Sequence, residues 1–598
     1  MDGLTVATPW YPTPYNRMAG SFVAAHARLA AGVLGRAGLD PQVRVVHGLE
    51  WPGGTPEAAA TLRPAFDDVL DRLRRPGGLR LSGACGPVDR VPVFTVGGAS
   101  WGERAQALVR DVQRGVGEFE TSLVHGHVGY LGGLLAARLA APGARVFATE
   151  HSTALRAVLD DPLSRDHYAE LLDRATAVFC VSGLLRDQVM ERVADPHGRL
   201  QVLPNPVDFA GAPRRSAPPQ RLDRWVFVGG LHERKGVERL VRAFTVAAAT
   251  DDQVTLTLFG DGALAGRLAE LAADAGVGDR LHLAGTVPHR QVLDRLPEFD
   301  LLLAPSTYET FHLAVTEAVA AGVPVIVTRS GGPQESLAGV ESQVGRFVDV
   351  EDSPDQLVDA WTELSQNLDT LDLDAARQTL DARYGVAAVA ARLAAAYGLD
   401  GTAPSAESAP DEPARGELVH PVQSVASQRV LPQRLVILAV SGWRRYAVEA
   451  ELAAAHGLGG TTVVVTADPQ IAGWAAPAPV VAPSAVPVGH ADDGTAQRYQ
   501  PPAQPLAVRA RRAAGALRRR LNGSQAPVVR AAGSVLGDGF LDGATLLVGD
   551  CQSMPLAQQL LAAHPGLLPV VELDRGGPVG SPPDGPDDSS GSSGEGGR

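Results

Sequence analysis

The sequence predicts an α/β protein: two doubly wound parallel-sheet units facing a cleft, with a small α/β appendage after them. Three observations carry that expectation. Short apolar runs alternate with longer helical patterns up to about residue 400, and this rhythm implies a parallel sheet covered on both faces. The polar, Pro-containing stretch 209–222 interrupts the rhythm, which then restarts. A second polar stretch, 401–430, precedes one more set of strand and helix patterns. At 598 residues the chain is too long for a single core.

The first unit, 1–208, opens with the strand "LTVAT" and continues through "VRVVHG", "VPVFTV", "SLVHGH", "RVFATE", "AVFCVS" and "LQVLPN". Helical stretches such as Gly129–Leu139 and Leu184–Val193 lie between them. After the 209–222 linker, the second unit, 223–400, reads "RWVFVGG", "VTLTLFG", "RLHLAG", "DLLLAPS", "PVIVTRS" and "GRFVDV", closing with an Ala-rich helix near Gly385–Tyr397. The Pro/Ala-rich stretch 401–430 reads as a disordered linker. The appendage, 431–575, carries "RLVILAVSG", "TTVVVTADP", "ATLLVGD" and "LLPVVELDR", and 576–598 reads as a disordered tail. The first residues read as a strand, not a signal peptide. No apolar run approaches the roughly 18 residues of a membrane span.

The composition narrows the function. A formal charge of −14 argues against a nucleic-acid binder. Three cysteines, Cys85, Cys180 and Cys551, are far apart. They form neither a disulfide framework nor a metal cluster, so a reducing, cytoplasmic setting is expected. Of the 53 Lys and Arg residues, all but Lys235 are arginine.

Ligands of paired α/β units bind beyond the carboxyl ends of the strands, and the informative motifs fall there. "VFVGGLHERKG" reads as strand, Gly-Gly turn and helix opening. Gly229 and Gly230 let backbone approach a ligand, helix-start amides favour an anion, and Lys235 adds a compact charge suited to phosphate. "APSTYETFHLAVTEAVAAGVPVI" follows another strand. Its Glu309 and Glu317 stand eight positions apart, about two turns on one face if the helix reaches back to Glu309. His125 and His127 read as site-lining or structural, since no Cys or carboxylate completes a metal set nearby. Asp372–Asp374 reads as a solvated face and Cys180 as core. No Gly-x-Gly-x-x-Gly follows the first strand and no P-loop is present. The basic stretch 508–523 has six arginines. It reads as a solvated helix or, alternatively, as a peripheral contact with anionic lipid.

Taken together and in order, these motifs resemble the retaining GT-B glycosyltransferases of family 4. The resemblance rests on "PSTYETF", "EAVAAGVPV", "SGGPQE", "FVGGLHERKGVERL", "LFGDG", "VLPNPVD", "HGHVGYLGGLLAARL", "ATEHS" and "TPWYPTPYNRMAGSFV". It covers about residues 1–400 and not the appendage. It implies that Lys235 contacts the donor diphosphate, Glu309 lies near the transferred sugar and Glu317 holds the ribose. It further implies that Gly331 and Gly332 turn beside the nucleotide, and that Gly20 approaches the diphosphate from the first unit. His151 lies near sugar and acceptor, and backbone amides around Phe311, His312 and Leu313 face the donor. Two departures stand out. Family members often carry Arg where this chain has Gly230, leaving Arg234 to compensate, and often Gly where it has His312. The implied reaction is sugar transfer from a nucleoside-diphosphate sugar with retention of configuration, by front-face attack with no metal and no cofactor. The acceptor is a glycan, a lipid-linked or a small molecule. A nucleotide-sugar epimerase or hydrolase, and a non-catalytic sugar-binding scaffold, are the competing readings. Sugar, base, acceptor, linkage, oligomeric state and the appendage's role are not legible.

Overall fold

The computed structural model describes residues 3–400 apart from 15, 17, 18, 76 and 352, and then 434–439, 451, 461–466, 480–481, 541 and 544–572. The expected linker 401–430, the basic stretch 508–523 and the tail 576–598 lie outside the described residues.

The first sheet has eight strands: β1 (Leu4–Thr8), β2 (Val43–Pro52), β3 (Arg80–Gly83), β4 (Gly86–Thr95), β5 (Leu123–His127), β6 (Arg145–Glu150), β7 (Ala177–Cys180) and β8 (Leu200–Val202), in the order β3-β4-β2-β1-β5-β6-β7-β8. All pairings are parallel except β3 with β4. Every residue of β1 and β5 is buried, as continuous apolar runs demand in a sheet covered on both faces. β3 is the strand the sequence does not announce. Its "RLSG" is too short and too polar to stand out and owes its extension to pairing with β4.

The second sheet comprises β9 (Arg224–Val228), β10 (Thr255–Phe259), β11 (Leu281–Gly285), β12 (Leu301–Ala304), β13 (Val325–Thr328) and β14 (Gly345–Val348). It is wholly parallel, in the order β11-β10-β9-β12-β13-β14. The two units are therefore Rossmann-like, as the alternating pattern predicts. The chain then crosses back. The helix Val386–Ala396, within the second unit by sequence, packs on the helix Ser21–Arg36 of the first. Just beyond it, the Tyr397 hydroxyl reaches His125 Nδ1 at 2.7 Å.

The appendage forms a third parallel sheet from β15 (Arg434–Ala439), β16 (Thr461–Thr466), β17 (Val480–Val481), β18 (Thr545–Val548) and β19 (Leu568–Val570), ordered β17-β16-β15-β18-β19. Its helix Met554–Ala563 packs against the helix Pro56–Leu73 of the first unit. Its buried residues, among them Val436, Leu546 and Leu560, share one apolar core with that unit. Among the described residues no helix is long and apolar enough to cross a membrane.

Candidate active site

Strand order fixes where a ligand can sit. In the second sheet the order reverses between β9 and β12, and the crevice beyond such a reversal is the binding position of doubly wound sheets. Lys235 follows β9 and Glu309 follows β12. Their side chains meet across the crevice, Lys235 Nζ to Glu309 Oε1 at 2.6 Å. The β9 turn is tight because Gly260 lies beneath it: a Cβ there would stand 1.9 Å from Gly229 O. Glu309 is buried, and its backbone is pinned between Ser330 O (2.9 Å) and Gly332 N (2.8 Å). Burial by itself would raise the carboxyl pKa, but His312 and Lys235 outweigh it and hold the group down to about 2.

The expectation that Glu309 and Glu317 share a helix face is corrected. The helix begins at Leu313 and ends at Ala320, so Glu317 lies on it and Glu309 on the loop before it. His312 caps that helix with φ 74, a left-handed conformation that favours glycine. The backbone thus keeps the shape of a glycine while presenting an imidazole. Its Nε2 lies 3.8 Å from Glu309 Oε1. Neither ring nitrogen has a hydrogen-bond partner among the described residues. Burial pushes this ring down to about 4, so it charges beside Glu309 only below that pH, and at neutral pH Lys235 and Arg234 are the cations there. Phe311 instead turns inward, edge-on to Tyr384 at 5.1 Å; its ring is core and only its backbone faces the loop.

Glu317 pairs with His289, Oε1 to Nε2 at 2.8 Å, and the carboxylate raises the His289 pKa. Sequence reading missed His289, because a histidine after "TVP" carries no signal until the fold sets it over Glu317. Gly331 and Gly332 are required by packing. A Cβ on Gly332 would lie 2.5 Å from Phe311 N, and one on Gly331 2.7 Å from Leu184 Cδ2 of the first unit. Where the resemblance expects a cation, Gly230 carries the His232 ring instead: a Cβ on Gly230 would lie 2.9 Å from its Cδ2. Desolvation, with Arg234 and Lys235 nearby, lowers the His232 pKa. Arg234 donates to Tyr308 O at 2.8 Å and stands 3.8 Å from Glu309 Oε1. It contributes charge at the edge of the site with part of its donor set already used.

The first unit supplies the opposite wall. Gly20 starts the helix Ser21–Arg36 with φ 68, and a Cβ there would lie 2.3 Å from Trp10 O. The loop after β1 therefore folds back against the helix start. Phe22, in the helix's first turn, packs against His151, ring centroids 4.4 Å apart and tilted by 39°. His151 Nε2 lies 3.2 Å from His127 Nδ1, and Thr310 Oγ1 donates across the cleft to His151 O at 3.4 Å. The candidate His151 is thus brought to the Glu309–His312 loop. Around it gather His26, His125 and His127. His26 meets Asn205 at 3.3 Å, and His125 engages Tyr397 and Thr149, each at 2.7 Å. Both His125 and His127 are buried, and His125 lies against Phe147, Phe179 and Tyr397. Glu335 closes the units together, accepting from Gly183 N (2.7 Å) and Leu184 N (3.2 Å). Sequence reading missed His26, Asn205 and Glu335. His26 was legible as a histidine on the buried side of an apolar helix; Asn205 and Glu335 were not, because only the packing of one unit on the other gives them partners.

Two family descriptions match the chain, Glycosyltransferase Family 4 over residues 23–210 and Glycosyl transferases group 1 over residues 223–367. The second sheet falls within the latter stretch, and the first sheet within the former except for β1 and the loop after it. The paired units have the GT-B fold, and each matches a glycosyltransferase domain description over part of the chain. Among relatives, glycogen synthase of Mycobacterium tuberculosis is 28% identical over 180 residues, 29% of this chain and 42% of its own length. D-inositol 3-phosphate glycosyltransferase of Thermobispora bispora is 31% identical over 215 residues, 34% of this chain and 49% of its own. The chain spans at most about half the length of these relatives. Sucrose-phosphate synthase from Thermosynechococcus elongatus has the same fold, with a TM-score of 0.52 at 18% identity over 66% of this chain and 98% of that one.

Proposed function

We propose that this GT-B chain transfers a sugar from a nucleoside-diphosphate donor to an acceptor with retention of anomeric configuration. The observation that carries the reading is the Lys235–Glu309 pair, 2.6 Å apart, drawn from the two strands that flank the sheet's reversal. Breaking the sugar–phosphate bond puts negative charge on the departing diphosphate. Lys235 is a preorganised cation at that point, and fixed charge aimed at developing charge is the most effective catalytic device an enzyme has. Glu317, about one turn into the helix, is suited to ribose hydroxyls, and Glu309 to a hydroxyl of the transferred sugar. His312, with two unpartnered ring nitrogens, has donor and acceptor capacity to offer the donor's sugar or phosphates.

Front-face attack suits this site better than a covalent intermediate. Glu309 is tied to Lys235, and a carboxylate in an ion pair is a weak nucleophile. In this reading the leaving phosphate takes the acceptor proton, and no separate base is needed. His151 and its neighbours form the acceptor side. The acidic, cysteine-poor composition supports a cytoplasmic setting. Donor-dependent nucleotide release across UDP-, GDP-, ADP- and dTDP-sugars tests the reading, with Lys235→Ala as control. Release abolished by the substitution supports it; release unaffected by the substitution overturns it.

A further inference from the structure

The appendage has the strand order of the other two units. The order β17-β16-β15-β18-β19 repeats that of β4-β2-β1-β5-β6 in the first sheet and β11-β10-β9-β12-β13 in the second. Its own reversal lies between β15 and β18, so its binding crevice opens beyond the ends of those strands. That edge is occupied by the first unit. After β18, Cys551 Sγ reaches Trp51 O at 3.3 Å and Gln552 Nε2 reaches Pro52 O at 3.4 Å. After β19, Glu572 meets Arg90, Oε2 to Nε at 3.0 Å.

Arg90 connects this contact to the site. It sits in β4, cross-strand from His47 in β2, and its side chain is only 1% exposed. A guanidinium so buried needs a counter-ion: Glu572 supplies it, accepting from Nη2 at 3.5 Å, while Nε stands 3.0 Å from Oε2 without a hydrogen bond among the described residues. Its Nη1 lies 2.6 Å from His47 Nδ1, and its Nη2 donates to Pro12 O at 3.1 Å. His47 Nε2 in turn reaches Pro9 O at 3.1 Å. One tautomer satisfies both contacts: Nε2–H donates to the Pro9 carbonyl, and Nδ1 accepts from Arg90. Pro9 and Pro12 belong to the loop after β1 that folds onto Gly20. Glu572 thus neutralises the cation that holds this loop at two carbonyls.

We propose that the appendage is an intramolecular brace for the loop after β1, and that Glu572, acting through Arg90, is a positioning residue for the site. The brace uses the edge at which the appendage's strand order would otherwise bind a ligand. Its importance for turnover rests on the glycosyl-transfer reading, but its mechanical part does not. Hydrogen exchange on the full chain separates the two. In Glu572→Gln, the amides of Trp10, Thr13 and Asn16 should exchange at least tenfold faster, while β9, β12 and the appendage's β18 keep their protection. Gln552→Ala, whose side chain reaches Pro52 instead, should leave those amides unchanged. If Glu572→Gln fails to fold, Glu572→Asp keeps the charge and shortens the reach, and the same local loosening is expected. Unchanged loop amides, or equal loosening throughout the first sheet, would overturn the brace. Loop loosening in a chain whose nucleotide release is indifferent to Lys235→Ala would leave the brace standing and sink the transferase reading.

Discussion

The two walls of the cleft solve the problem of burying polar groups in opposite ways. On the second unit the groups are charged and paired: Lys235 with Glu309 at 2.6 Å and His289 with Glu317 at 2.8 Å. On the first unit they are histidines with no counter-ion among the described residues. Burial pushes His26 to about 4 and His125 to about 3, and holds His127 and His151 well below the ordinary value. Charge stands where a diphosphate would leave, while the facing wall is polar but neutral. The difference teaches that this site keeps its electrostatic work on one side, so substitutions and pH should separate the two walls.

The largest effect is expected from the charged wall. Lys235→Ala should lower kcat/KM by about 10²–10³-fold, the usual loss when one transition-state donor is removed. Lys235→Arg should fail to recover it, because a planar fork cannot replace an ammonium that also meets Glu309. Steady-state nucleotide release measures both, and equal rates for Lys235→Arg and wild type would erase the distinction drawn for this lysine.

Glu309→Gln comes next, at roughly 10²-fold, because a carboxamide accepts at one oxygen only and leaves Lys235 without its counter-ion. Intact-mass spectrometry during turnover should find no glycosylated enzyme in the wild type. A sugar adduct on Glu309 would replace front-face attack with double displacement.

The neutral wall should appear in stability. Each of its four rings has a depressed folded pKa, so below about pH 6.5 the unfolded chain binds protons that the folded chain does not. Stability is therefore complete above that pH and falls below it, by about 1.4 kcal/mol per pH unit for each ring that stays neutral. Glu150 acts in the opposite sense. Burial raises it to about 7 despite bonds from Ser152, Tyr130 and His151 backbone amides, so it adds stability as pH falls from that value toward the usual carboxylate range. Denaturant unfolding at pH 7, 6 and 5 should give a net acid loss, smaller by about one ring in His125→Gln. A flat profile would mean the histidines protonate in place.

The smallest effect belongs to His289. Its pKa is raised, chiefly by Glu317, so its contribution is fully present below about pH 6.5 and fades as pH rises through the higher folded value. The ring is partly exposed, and solvent screens the pair. His289→Gln should cost least at alkaline pH, and donor KM should change more than kcat. A penalty that grows above neutrality would contradict the pairing.

Most of the fold was legible. Buried parallel strands such as "LTVAT" and "LLLA" are apolar throughout, and their alternation with helices admits few other topologies. β3 and β17 escaped, because strands of four and two residues take their conformation from neighbours rather than from their own pattern. In the site, Lys235, Glu309 and Glu317 stood out by spacing after strands. His289, Glu335 and Asn205 did not, since each is defined by a partner from another element.

What the amino-acid sequence determined by itself was the local chemistry: which segments extend, where the helices begin, and that one lysine stands after the first strand of the second unit. Backbone sterics and apolar periodicity act over a few residues, and they suffice for that. The tertiary structure alone decided the couplings. It put a non-glycine His312 into a glycine's conformation beside Glu309, and returned the final helix of the second unit to the first. It also set Glu572 of the appendage against Arg90. The last two join segments hundreds of residues apart through packed faces and buried charge, and no local pattern encodes such partners.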